Sequence, residues 1–198
     1  METISAVELS IAANVRIVEG ATQYVAVTGP EETVNQITKS VNSGKWKIGF
    51  PTDYNSNYDK LDITITSSII KKLGISGSGN IIGVDTLYLS DIQISGSGSI
   101  EVKTISTSLY SDISASGNIS VSGTVGLLKH SVSGSGKLYA FNLMATDAEI
   151  NASGSGNTEI YVISNLHAEI DGSGNIYYKG APSITQEING SGSLINSN

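Results

Sequence analysis

The chain has 198 residues, 39% of them hydrophobic and only 15% charged, with 22 Gly, 3 Pro, 1 Trp and no Cys. That composition excludes a long charged coiled coil, a disulfide framework and any Cys-ligated metal centre, and no run approaches the ~18 apolar residues of a membrane-spanning helix. The net charge of −7 sits mostly in one part: residues 1–74 are nearly balanced, whereas 75–198 hold only Lys103, Lys129, Lys137 and Lys179 against ten acids.

Such a surface repels nucleic acid and anionic lipid, whose binding depends on Lys and Arg displacing counterions. Neither a nucleic-acid partner nor direct membrane insertion is expected. The start Met-Glu-Thr lacks a basic segment, and Glu8 interrupts the apolar stretch 4–13, so no signal segment is read here.

In chain order, residues 15–18 and 24–27 read as short strands around the turn Glu-Gly-Ala-Thr at 19–22. Residues 46–50 and 61–65 read as two more, around a polar loop at 51–59 that carries Tyr54 and Tyr58. Residues 31–41 fit either a short helix opening after Pro30 or another strand; Val34, Ile37 and Val41 have helical spacing. Residues 1–74 are therefore expected to form irregular β rungs or a cap, because a bare solenoid end recruits other chains.

From residue 75 a repeat takes over. Ile-Ser-Gly-Ser-Gly at 75–79 recurs, with small changes, at 94–98, 113–117, 132–136, 152–156, 170–174 and 188–192. The final glycines are 19, 19, 19, 20, 18 and 18 residues apart. Stacking the segments aligns apolar columns, one of them Ile75, Ile94, Ile113 and Val132. Another is Ile81, Ile100, Ile119 and Leu138. Outward residues alternate with inward ones, the period-2 signature of strands with one face on a core.

A coil of about 19 residues suits two or three short strands joined by tight corners. The expected fold is all-β: a single-stranded, right-handed parallel β-helix over 75–198, continuous with the cap at 1–74. At each corner Gly is expected to supply a backbone conformation that a Cβ forbids, such as positive φ at Gly117 and Gly136. The invariant serines, among them Ser116, Ser135, Ser155 and Ser173, are expected to hydrogen-bond up and down the stack. A calcium roll is rejected, since its nine-residue repeat places Asp beside the glycines.

These features are specific enough for a resemblance. Val-Arg-Ile-Val-Glu-Gly at 15–20, Tyr-Val-Ala-Val-Thr-Gly at 24–29, Gly-Lys-Trp-Lys-Ile at 44–48 and the Ile-Ser-Gly-Ser-Gly array recur in order. The array closes with Ile-Asp-Gly-Ser-Gly-Asn-Ile-Tyr-Tyr-Lys-Gly at 170–180. Nearly the whole chain resembles the auto-transporter adhesin head GIN domain family. The resemblance implies a β-helical domain exported by Bacteroidetes-type bacteria, hence an extracellular, periplasmic or outer-membrane-surface location. The family has no established catalytic residues to carry over.

Inventory argues against catalysis. With no Cys and only His130 and His167, which share no repeat column, no Ser–His–acid arrangement is expected, and both histidines are read as surface or corner groups. β-Helical polysaccharide enzymes place acids and a basic residue beneath long loops; here the coils are short and no Arg follows Arg16. No cofactor is expected. Glu169, Asp171 and Glu187 face outward on adjacent coils and are the candidates for calcium through oxygen ligands, weighed against a solvated acidic surface. Tyr139 and Tyr177 share an outward column with Glu159 between them, the equipment of a sugar-binding face.

The function read from the sequence is a non-enzymatic surface or secreted binding module, directed at glycan or protein. The alternative is a self-associating scaffold that forms weak homo-oligomers through the solenoid ends, with a polysaccharide-active enzyme as a remote third.

Overall fold

Polar–apolar alternation over residues 99–170 dictates strands with one buried face, and the computed structural model, which describes residues 2–51 and 61–198, shows how they stack. Tyr54 and Tyr58 lie outside the described residues. In chain order the elements are β1 (Ala6–Leu9), β2 (Asn14–Val18), β3 (Tyr24–Thr28), α1 (Glu31–Gln36), β4 (Val41–Asn42), β5 (Lys45–Ile48), β6 (Asp62–Thr66), β7 (Lys72–Ile75) and β8 (Asn80–Leu87). They continue as β9 (Asp91–Ile94), β10 (Ser99–Ile113), β11 (Asn118–Val132), β12 (Lys137–Ala152), β13 (Thr158–Ile170), β14 (Ile176–Lys179), β15 (Ser183–Ile188) and β16 (Leu194–Asn196). All strands belong to one sheet, wound as a parallel β-solenoid of about 7 turns with coils of ~19 residues.

Register confirms the repeat. Ile75, Ile94, Ile113 and Val132 pair in succession, and the column continues through Ala152 and Ile170 to Ile188. A second column runs Ile81, Ile100, Ile119, Leu138, Thr158, Ile176. All of these but Ile188 are buried, and each aliphatic side chain removed from water contributes roughly 1.5–3 kcal/mol. The long strands bend through corners, so β10 pairs with β8 in its first half and with β9 in its second.

Chain order and stacking order part company at the N-terminal end. β1 lies between β5 and β7, and β2 lies between β6 and β8. The first coil of the chain is thus the second rung of the stack, and the coil of β5 and β6 lies outside it. Antiparallel partners close that outer rung, β3 on β6 and β4 on β5. The helix α1 adds buried Thr33, and Ile37 just beyond it is buried too. Trp46 pins the cap: its Nε1–H donates to the Thr38 carbonyl at 2.7 Å, while Thr38 Oγ1 donates to the Lys47 carbonyl at 2.6 Å. Residues 31–36 are therefore helix, and β1 is a strand that sequence reading passed over.

The corners are built differently from expectation. Positive φ is found at Gly44, Gly123 and Gly180, and at Ser43 among non-glycines, but not at Gly117 or Gly136. Gly is required at 136 because the rungs stack so closely that a Cβ would enter the Gly117 carbonyl oxygen and the Ile113 side chain. The corner bonds are backbone bonds: the Ser135 and Gly136 amides both donate to the Ala115 carbonyl at 3.0 Å. The serine hydroxyls point to solvent, with Ser155 and Ser173 meeting at a marginal 3.5 Å. An asparagine row, one residue past the corner, bonds along the stack instead. Asn80 Nδ2 donates to Asn14 Oδ1 (3.2 Å), Lys137 N to Asn118 Oδ1 (3.1 Å) and Asn175 N to Asn157 Oδ1 (2.9 Å).

Candidate functional site

Stacking in register turns each outward sequence position into a row of side chains along the solenoid, and two such faces carry the candidate groups. On the face formed by the first halves of β12 and β13 and by β14, Tyr139 pairs with Glu159 and Glu159 with Tyr177. Tyr139 is 41% exposed. Tyr177 is half-buried, and its phenol oxygen accepts from Asn175 Nδ2 at 3.4 Å. The two rings are thus spaced by two rungs, about 10 Å, with a carboxylate between them. Nearby, Lys179 Nζ lies 4.5 Å from the centre of the Phe141 ring.

On the face formed by the second halves of the coils, Glu169 pairs with Glu187. Asp171 and Glu187 share one donor, the Asn189 amide, whose Nδ2 reaches Asp171 Oδ1 at 3.0 Å and Glu187 Oε1 at 3.1 Å. A neutral amide bridge tempers the mutual repulsion of two exposed acids. Among the described residues no group of three or more acids or histidines is placed to hold a metal ion.

The two histidines separate sharply. His167 is exposed and pairs with Glu149. His130 is not a surface group: it occupies the inward column between Ser111 and Ile150, 2% exposed. Its Nδ1 lies 3.1 Å from Ser111 Oγ, and its Nε2 is buried without a partner. Burial holds the imidazole neutral, lowering its pKa to about 4 against the opposing bond to Ser111. Alternation alone could have found it, since position 130 is two residues from inward Val132.

The same face carries a feature that sequence reading missed. Two depressions of about 400 and 300 Å³ share Asp91, Gln93 and Asp112 and together form one groove. Its floor opens where Gly74, lacking a side chain, stands between Glu8 and Gln93. Lysines rim it, each beside a carboxylate: Lys45 contacts Glu8, Lys72 lies 4.0 Å from Asp91, and Lys129 lies 2.6 Å from Glu149. Lys45 holds the Glu8 carboxyl below the usual range. Asp112 moves the other way, its pKa raised by partial burial and then by the charge of Asp91, against a hydrogen bond from Ser131.

The arrangement defines a class: a parallel β-solenoid whose outward side chains form rows on open faces. The chain belongs to the family described as "Putative auto-transporter adhesin, head GIN domain", which matches residues 4–182. Solved relatives share the fold. A putative adhesin from Bacteroides fragilis NCTC 9343 superposes with TM-score 0.93 at 22% identity, over 99% of this chain and 93% of that one. A protein from Parabacteroides distasonis ATCC 8503, described as a putative lipid binding protein, gives 0.80 at 28% identity, over 99% and 93%. A putative adhesin from Parabacteroides merdae ATCC 43184 gives 0.78 at 19%, over 100% and 93%. No curated protein matches the chain. Among the described residues no helix is long and apolar enough to cross a membrane.

Proposed function

We propose that this chain is the non-enzymatic, ligand-presenting head of an adhesin, carried outside the cytoplasm, which engages surface glycan. The observation that carries this reading is the row Tyr139–Glu159–Tyr177, two tyrosines in register with an acid between them on a rigid face. A sugar face stacks on the rings while its hydroxyls reach Glu159 and Asn175, and a preformed platform spends little entropy on binding. Family membership supports the adhesive role. A glycan array probed with wild type and a Tyr139→Ala/Tyr177→Ala double variant tests it. Loss of the bound glycans by tenfold or more at an unchanged melting temperature is expected; retained binding overturns the site.

A second reading, self-association through the C-terminal end, draws on β15. All six of its residues are exposed, and Ile184 and Ile188 are each 40% exposed at the foot of columns that are buried elsewhere. Sedimentation across a concentration series checks it: a rising mass that Ile188→Lys abolishes supports association, and a constant monomer mass rejects it.

A further inference from the structure

On the second face the lysines are shared unevenly among the groove's carboxylates, since Glu8 contacts two, Lys45 and Lys47. Among the described residues Glu8, Asp91 and Glu149 each have a lysine within salt-bridge distance, and Asp112 has none. Its carboxylate stands in register with Ser131, where the two depressions overlap. Two residues earlier on the same strand face is Tyr110, 54% exposed and flanked in register by Asp91 and Lys129. We propose that this groove is a binding site for a linear amino-sugar chain lying along the solenoid axis, with a protonated amine on Asp112 and a pyranose ring on Tyr110.

Three features select that chemistry. An ammonium is drawn both to an uncompensated carboxylate and to an aromatic face. The groove's polar groups recur once per rung, about 4.8 Å apart, so an extended chain of small polar units meets a new donor or acceptor at each step. The groove lies on a sheet face, where the backbone N–H and C=O groups are already spent on neighbouring rungs. An extended peptide binds mainly through such groups at a free edge, whereas a sugar needs only side-chain partners of the kind present at Gln93, Ser131 and Asn151. Burial and Asp91 raise the Asp112 pKa, so a bound cation would restore it toward the ordinary carboxylate range.

The site does not rest on the Tyr139–Tyr177 row, and separate variants distinguish them. Calorimetry at pH 6 with the glucosamine hexamer, the N-acetylglucosamine hexamer and the lysine hexamer is the test. Wild type should bind the glucosamine hexamer at least tenfold more tightly than either of the others. Tyr110→Ala and Asp112→Asn should each weaken it tenfold or more, Tyr110→Phe should preserve it, and Tyr139→Ala/Tyr177→Ala should leave it unchanged, with melting temperatures confirming the fold of each variant. Failure to bind the glucosamine hexamer overturns the proposal. So does equal binding of the acetylated sugar, equal binding of the lysine hexamer, or indifference to Asp112→Asn.

Discussion

The N-terminal and C-terminal rungs of the solenoid differ in how their edges are covered. At the N-terminal end, residues outside the repeat fold back over the outer rung: β3 and β4 pair antiparallel, and α1 covers the core edge with Thr33. In the C-terminal rungs the repeat runs on to the corner at 188–192. β15 presents six exposed residues, and Leu194 of β16 is half-buried where its counterparts Ile100 and Ile119 are fully buried. A repeating sequence builds an interior because every rung is the template for the next, but it contains no instruction to end. Closure needs a different sequence, and residues outside the repeat supply one at β3, β4 and α1.

Breaking the cap tests that contrast most severely. Trp46 is 2% exposed and holds the chain after α1 through its bond to Thr38. Trp46→Ala removes a large buried ring and leaves a cavity, a loss of about 3–5 kcal/mol. Chemical denaturation should show that loss, and increased aggregation as the outer rung opens. If Trp46→Ala costs no more than Ile188→Ala, the cap is ornamental and the comparison of ends fails.

The interior can be sharpened by pH through His130. The folded-state pKa, about 4, lies below the ordinary 6.5. A lowered pKa means that folding favours the neutral imidazole, so the contribution is fully present above pH 6.5. It is lost as pH falls from 6.5 to 4, by about 3 kcal/mol in all. Because Glu8 and Asp112 also titrate, the informative quantity is the difference between wild type and His130→Leu. Their stabilities should converge, or cross, as pH falls through that window. Parallel curves would show that the imidazole is not the acid-sensitive element.

A smaller effect separates middle from end at the corners. Gly136→Val forces a branched side chain into the Gly117 carbonyl and Ile113, between rungs fixed on both sides, and should cost about 1–3 kcal/mol. Gly192→Val meets the matching contacts, the Gly174 carbonyl and Ile170, but in the outermost described rung, which is held from one side. Its penalty should be visibly less. Equal losses, read from urea midpoints, would mean that the terminal rung is as rigid as the interior.

Legibility followed the repeat. The buried columns through Ile94, Ile113 and Val132 were readable because stacking forces like onto like, so one coil predicts the next. The insertion of β1 between β5 and β7 was not, because residues 1–74 lack the corner motif and register between dissimilar strands is set by three-dimensional packing. The row of Tyr139, Glu159 and Tyr177 was readable as outward positions in one column. The groove was not, since its floor is an absence, the missing side chain of Gly74, and its uneven charge pairing depends on which lysine reaches which acid. His130 was misjudged because it was counted from its own corner instead of by parity from Val132.

The corner serines carry the finest distinction. Their recurrence in all seven repeats suggests a hydroxyl ladder, yet the hydroxyls face solvent and the amides carry the bonds. Asn118 is different: its Oδ1 accepts from the Lys137 amide at 3.1 Å, a side-chain bond that ties one rung to the next. Asn118→Ala should therefore cost about 1 kcal/mol, the net worth of one hydrogen bond. Ser116→Ala should stay within ~0.5 kcal/mol, as exposed substitutions do. Ser116 also adjoins Ala115, the one repeat whose central Gly is replaced. There the amide of Gly117 alone bonds the Gly96 carbonyl at 3.1 Å, where the next corner up uses both Ser135 and Gly136. If Ser116→Ala proves as damaging as Asn118→Ala under the same denaturant titration, the hydroxyl row bears on stability after all, and the account of the corners as stacked backbone must give way.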